Sequence, residues 1–175
     1  MMTIRVCDAT NFEDVLSVCN DGALAYQGVI AADQWKSPYM SKEELHSEIL
    51  AGIQFFGAFD CEQRLVGVMG LQQMHEVALI RHAYTRTTCQ RAGIGSALLA
   101  HLQSLANGPI LIGTWRAATW AVQFYQRRGF RLIEGTKRET VLRQYWIISE
   151  RQIEDSVALG DERWFANDAS GSGRK

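Results

Sequence analysis

Apolar and polar positions change period several times along the chain, and the changes mark out its elements. Thr3 to Cys7 alternates as a short strand does, and Asn11 then offers an N-cap to a helix whose buried stripe is Phe12, Val15, Leu16 and Cys19. Ser41-Lys42-Glu43-Glu44 has the spacing of a capping box, in which Ser41 accepts from a first-turn N–H and Glu44 reaches back. Leu45, Ile49 and Leu50 give that second helix its stripe. Gln54 to Asp60, Leu65 to Gln72 and Val77 to Thr85 read as an antiparallel meander.

Helical spacing returns at Ile94, Leu98, Leu102 and Leu105 and stops at Asn107-Gly108-Pro109. Ile110 to Thr114 reads as a short buried strand. Ala118 to Arg128 is helical again through Ala121, Phe124 and Tyr125, with Gly129 at the C′ position that favours a left-handed residue. Phe130 to Ile133 opens a further strand. Thr136-Lys137-Arg138-Glu139 predicts another capping box and a helix to about Trp146, and Ile153 to Leu159 predicts the last strand.

With 175 residues, 47% hydrophobic and 21% charged, the chain suits one compact α/β domain, expected over residues 1–166. Residues 167–175, rich in Ser and Gly without an apolar anchor, read as a disordered tail. The formal charge of -1 gives no reason to expect nucleic-acid binding. The distribution of charge says more. All 19 carboxylates lie in two flanks, Asp8 to Glu76 and Glu134 to Asp168, and the stretch between them carries Arg81, Arg86, Arg91, Arg116, Arg127, Arg128 and Arg131.

Cys7, Cys19, Cys61 and Cys89 show no metal-ligand spacing, so no metal is expected, and a reduced, cytoplasmic protein is. The N-terminus lacks an apolar signal segment and no apolar run reaches membrane-spanning length, so no membrane partner is expected.

The candidate chemistry sits in the cationic middle. A strand, a turn through Gln90-Arg91-Ala92-Gly93-Ile94-Gly95, and a helix leave free N–H groups and the positive helix end facing one spot, which suits a phosphate. A Walker loop would need Gly-Lys-Ser/Thr, but Ser96-Ala97 follow Gly95. A dinucleotide fingerprint would need a small residue at Leu98 and an acidic ribose ligand about twenty residues on. Alone, the glycines support helix initiation as well as anion binding.

Gln90-x-x-Gly93-x-Gly95 resembles the first signature of the GNAT N-acetyltransferases, and Ala121-x-x-Phe124-Tyr125-x-x-x-Gly129-Phe130 resembles their second, at the usual distance downstream. The resemblance implies an α+β fold: a mixed, mostly antiparallel central sheet, splayed open at an acetyl-CoA cleft, with helices on both faces. It implies that Ala83 and Thr85 bind the pantetheine through main-chain groups, that Gln90, Arg91, Ala92, Gly93, Ile94, Gly95 and Ser96 bind the pyrophosphate, and that Tyr125 sits near the thioester sulfur. Tyr125 is then the candidate general acid, against the alternative of packing beside Phe124.

The general base is less determined. Where some family members carry a strand Glu, this chain has Leu79, and Ala118 stands where the second signature often has Asn. His82 and Glu76 are the candidates, with a water chain to a flank carboxylate as another route. On a regular strand His82 shares a face with Ile80 and Tyr84, so a half-buried structural histidine is an equal reading. Trp35, Tyr39 and Trp115 are candidates for an acceptor wall, although such aromatics also build cores. The expected activity is acetyl transfer from acetyl-CoA to a primary amine of a small molecule or peptide by direct attack in a ternary complex; a homodimer is compatible with it. A non-catalytic acyl-CoA sensor or assembly protein and a nucleotide-binding module are the rivals.

Overall fold

The computed structural model describes residues 1–171. The chain runs β1 (Thr3–Val6), α1 (Phe12–Ala23), α2 (Lys42–Leu50), β2 (Gln54–Phe59), β3 (Leu65–Gln73), β4 (Ala78–Thr85) and α3 (Ile94–Leu105). It continues through β5 (Ile110–Trp115), α4 (Thr119–Gln126), β6 (Arg131–Ile133), α5 (Gly135–Tyr145), α6 (Glu150–Glu154), β7 (Ser156–Gly160) and α7 (Glu162–Gly171). No helix of the described residues is long and apolar enough to cross a membrane.

The strands form one sheet in the order β1-β2-β3-β4-β5-β7-β6, antiparallel throughout except between β4 and β5. That parallel pair is joined only at Ala78–Ile110, Leu79–Leu111 and Ile80–Ile112. Beyond Ile80 and Ile112 the two strands part. The backbone groups they would have exchanged are left facing a cleft, the site of interest in this fold.

Helices cover both faces. Leu98, Leu99 and Leu102 of α3 and Tyr125 of α4 pack on Met69, Ile80 and Ile112. On the other face Val15 and Val18 of α1 and Leu45 of α2 meet Phe55, Phe59 and Val68, while Val141 and Leu142 of α5 and Ile153 of α6 meet Leu79, Leu111 and Ala158. Each such side chain contributes about 1.5–3 kcal/mol relative to leaving it exposed. α1 crosses close over the end of β4, because a Cβ on Gly22 would lie 2.8 Å from the Tyr84 Cβ.

Local chemistry departs from expectation in places. Asn11 stands at the N-cap position of α1 as read, but its side chain makes no cap bond there: Asp8 caps a short 3-10 turn ahead of it, accepting from the Thr10 N–H at 2.8 Å, while the Asn11 side chain accepts from the Asp8 N–H at 3.2 Å. Ser41 caps α2 as read, accepting from the Glu44 N–H at 3.0 Å, but the Glu44 carboxylate pairs with Lys36 at 2.9 Å instead of reaching back. α5 starts at Gly135, one residue before the expected Thr136 cap, and no side chain caps it. The segment read as a strand from Ile153 is divided: Ser149 accepts from the Gln152 N–H at 3.2 Å and starts α6, which holds Ile153, so β7 begins only at Ser156. Asn167 to Gly171, read as tail, complete α7, while 172–175 lie outside the described residues.

The most consequential departure is a β-bulge. Tyr84 pairs with Val68 and Arg81 with Gly70, so β4 spends one residue more than β3 over this interval. His82 absorbs the irregularity with a φ of 52°. Ile80 therefore packs toward α3, whereas Tyr84 packs with the α1 and α2 core, and the shared face expected for Ile80, His82 and Tyr84 does not exist.

Candidate active site

The loop after β4 is held by side chains of α1. The Thr87 N–H donates to Asp21 Oδ2 at 2.6 Å, and Arg86 donates through Nε to the Leu65 carbonyl at 2.8 Å and through Nη1 to Ser17 Oγ at 3.2 Å. Arg91 and Gly93 then take left-handed backbone conformations, with φ of 64° and 78°. Gly93 is the N-cap residue of α3 and brings no side chain to cap it, so the first-turn N–H groups stay open to a ligand. This is a cradle for anionic oxygens at a helix N-terminus.

A cleft of about 890 Å³ runs from this loop between the parted ends of β4 and β5. Gln90, Arg91, Gly93, Ile94, Gly95 and Ser96 line it, as do Ala83 and Thr85; Ala92 is exposed and does not. Arg81, Arg91, Arg127 and Arg128 also line it, and among the described residues no Asp or Glu does. The carboxylate-free stretch of sequence thus folds into a carboxylate-free cavity, an environment for a polyanion. Arg128 is no loose surface cation: it donates to the Phe124 carbonyl at 2.9 Å and to the Ser96 hydroxyl, and its guanidinium sits 3.9 Å from the Phe124 ring centroid.

Tyr125 is buried on α4 with its ring edge-on to Phe124 and Phe130, at 5.0 and 6.1 Å between centroids, and lines the cleft. Burial, and secondarily the neighbouring Tyr26 phenol, push its hydroxyl well above the ordinary phenol value, so it holds its proton as a general acid requires.

Tyr39 and Trp115 line the cleft and are joined directly, Trp115 Nε1 donating to the Tyr39 hydroxyl at 2.8 Å. Trp35 does not line it but backs Tyr39 at 5.4 Å. Trp120, which flanks the same strand end as Trp115 in the sequence, lines the cleft too, and Tyr26 and Tyr84, which the sequence reading missed, complete this aromatic wall: Tyr26 stacks on Trp120 at 5.8 Å and lies edge-on to Tyr84 at 6.3 Å.

Of the two base candidates, His82 lines the cleft and Glu76 does not. Glu76 is exposed in the turn before β4, at the opposite end of that strand. Leu79 is fully buried under α5. The sequence reading also missed Glu48 of α2, which meets Arg81 at 3.2 Å and His82 at 3.3 Å.

The geometry is that of a glycine turn and an uncapped helix N-terminus opening into a split sheet, with Tyr125 in the lining. Comparison with known proteins agrees with it: residues 20–143 match the family described as Acetyltransferase (GNAT) domain. The chain belongs to the GNAT acetyltransferase family. It is therefore an N-acetyltransferase whose acetyl donor is acetyl-CoA, and the open N–H groups and arginines of its cleft fit that polyanion.

Solved structures share the GNAT fold at low identity. The PaiA N-acetyltransferase of Thermoplasma acidophilum in complex with coenzyme A superposes with a TM-score of 0.69 and 18% identity over 92% of this chain and 98% of that one. A GNAT family acetyltransferase of Staphylococcus aureus gives 0.66 and 18% over 92% and 98%. The ribosomal-protein-S18-alanine N-acetyltransferase of Escherichia coli gives 0.64 and 17% over 92% and 93%. No curated protein matches the chain in sequence.

Proposed function

We propose that this protein acetylates a primary amine, carried by a small molecule or a peptide, by direct attack in a ternary complex. The observation that carries the reading is the arginine-lined, carboxylate-free cleft to whose lining Tyr125 belongs. Bound there, acetyl-CoA supplies an activated acyl group on a thiol leaving group. The first-turn N–H groups of α3, with Arg91 and Arg128, hold its phosphates, and the main chain of Ala83 and Thr85 holds the pantetheine where β4 has lost its neighbour.

An amine is protonated at neutral pH, so the acceptor must lose a proton before it attacks. His82 takes that proton. The amine lone pair then forms the C–N bond, the C–S bond breaks and Tyr125 donates a proton at the sulfur, while the second proton that the nitrogen sheds on becoming an amide restores the phenol. The cysteine lining the cleft, Cys89, belongs to the phosphate loop, which supports direct attack over a covalent acetyl-enzyme. Tyr26, Tyr39, Tyr84, Trp115 and Trp120 form the acceptor wall, suited to an amine on an apolar body whose ammonium meets ring faces. The cysteines Cys7, Cys19, Cys61 and Cys89 are all free, which supports a reducing, cytoplasmic setting.

The test is release of CoA thiol from acetyl-CoA by purified protein with an amine panel of an arylalkylamine, an aliphatic diamine and a peptide with a free N-terminus. Release that requires both acetyl-CoA and an amine is expected. Acetyl-CoA binding without turnover on any amine of the panel would overturn the proposed acceptor class.

A further inference from the structure

The bulge in β4 turns two successive side chains, Arg81 and His82, toward the same carboxylate on α2. Arg81 Nη1 lies 3.2 Å from Glu48 Oε2, and Nη2 donates to Glu48 Oε1 at 3.3 Å. His82 Nε2 lies 3.3 Å from the same Oε2. Both Oε2 and Nε2 are buried, and neither is aligned in a hydrogen bond, so a proton placed between them has partners on both sides at small adjustment. The imidazole is fixed from β2 as well, its ring stacked on Phe55 at 5.8 Å. Arg81 is itself held by Gln72 of β3, whose Oε1 accepts from Nη1 at 3.2 Å. The charged groups facing His82 are thus Glu48 from α2 and Arg81 from its own strand, with Phe55 and Gln72 the neighbours from β2 and β3.

Such an arrangement selects a tautomer. A carboxylate facing Nε2 favours hydrogen on that nitrogen and leaves the lone pair on Nδ1. It also offsets the positive charge that appears when the ring takes a second proton. A left-handed φ on a non-glycine residue is a strained conformation, and here it places an imidazole between the half-buried Glu48 carboxylate and the acetyl-CoA cleft.

We infer that Glu48 is the positioning residue of the reaction, holding His82 by Nε2 so that Nδ1 takes the proton of the acceptor ammonium. The inference rests on the acetyltransfer reading above. In the step the ammonium N–H bond breaks, its electron pair stays on the amine nitrogen, and the proton passes to Nδ1 and later to water. Arg81 keeps Glu48 ionised without competing for the imidazole.

The test is a double-variant cycle with Glu48→Gln and His82→Asn, read as kcat/KM for the best amine of the panel, with acetyl-CoA affinity and thermal melting as controls. Glu48→Gln is expected to lower kcat/KM by about ten- to a hundredfold, with acetyl-CoA affinity unchanged. The acid limb of its pH profile should move to lower pH. In the His82→Asn background the same substitution should have no further effect. Equal activity of Glu48→Gln and wild type, or independent multiplying losses in the double variant, would overturn the inference. If Glu48→Gln melts early, Glu48→Asp serves, since it keeps the charge against Arg81 while withdrawing it from the ring. Reduced turnover with a normal melt is then expected, and wild-type turnover would overturn the inference. Wild-type protein that releases no thiol with any amine would sink both readings, whereas active wild type with an equally active Glu48 variant sinks this one alone.

Discussion

Arg128, just past the end of α4, donates to the hydroxyl of Ser96 in the first turn of α3. The contact joins the two segments that carry the family signatures and sets a guanidinium beside the uncapped first turn of α3. Arg128→Ala should weaken acetyl-CoA binding by about tenfold, the scale of one charge-assisted contact of about 1.4 kcal/mol. Calorimetry at low and high salt checks it, the deficit shrinking as salt screens the wild-type attraction.

The two loop glycines should differ when replaced by alanine. Gly93 has a φ of 78°, so Gly93→Ala is expected to cost about 1 kcal/mol of stability and to disturb the cradle. Gly95 is helical, and a Cβ there would meet the Phe124 ring at an ordinary 3.4 Å. Gly95→Ala should leave the melting temperature unchanged or raise it, because alanine gains up to about 1 kcal/mol of helix propensity. Melts of both variants decide it.

Tyr125→Phe removes the proposed acid and keeps the ring packing on Phe124 and Phe130. Turnover should fall by about a hundredfold while acetyl-CoA affinity stays within about twofold. Since burial raises the wild-type hydroxyl above the ordinary phenol value, the wild-type rate should show no alkaline loss at about pH 10, where a free phenol titrates. Unchanged turnover in the variant would assign Tyr125 to packing.

Acid should act on the Glu48 cluster. Burial alone would push this carboxyl up, but the His82 and Arg81 contacts outweigh it and hold the group below its ordinary value of 4.5. A depressed carboxyl gives stability that is present above the unfolded value and lost as pH falls through the folded one. The gap in melting temperature between wild type and Glu48→Gln should therefore be present above pH 4.5 and close below it, with melts across that range as the check.

The sequence showed most of the elements because their information is local. Period, caps and glycines placed β2, β3, β4, α3 and α4 within a residue or two. It failed where a competing local signal was overlooked, as at Ser149, whose cap converts the start of an apparent strand into α6. The glycine loop that lines the cleft was legible for the same reason: the motif is contiguous. Glu48 was not, because it stands 33 residues before Arg81 on a helix whose polar positions carry no mark of their purpose. Tyr26, Tyr84 and Trp120 come from three separate elements and acquire a shared role only when the chain folds. His82 was seen and given the wrong face, since strict alternation assumes a strand without a bulge.

That bulge makes the length of β4 a question of parity. With one residue fewer between Arg81 and Tyr84, the strand would alternate strictly, Arg81 and Tyr84 would keep their pairing with Gly70 and Val68, and the imidazole would turn over to the side of Ile80 and α3. Composition and motifs would be almost intact, yet the only histidine on the strand would lie on the coenzyme side of the sheet, out of reach of the α2 carboxylate.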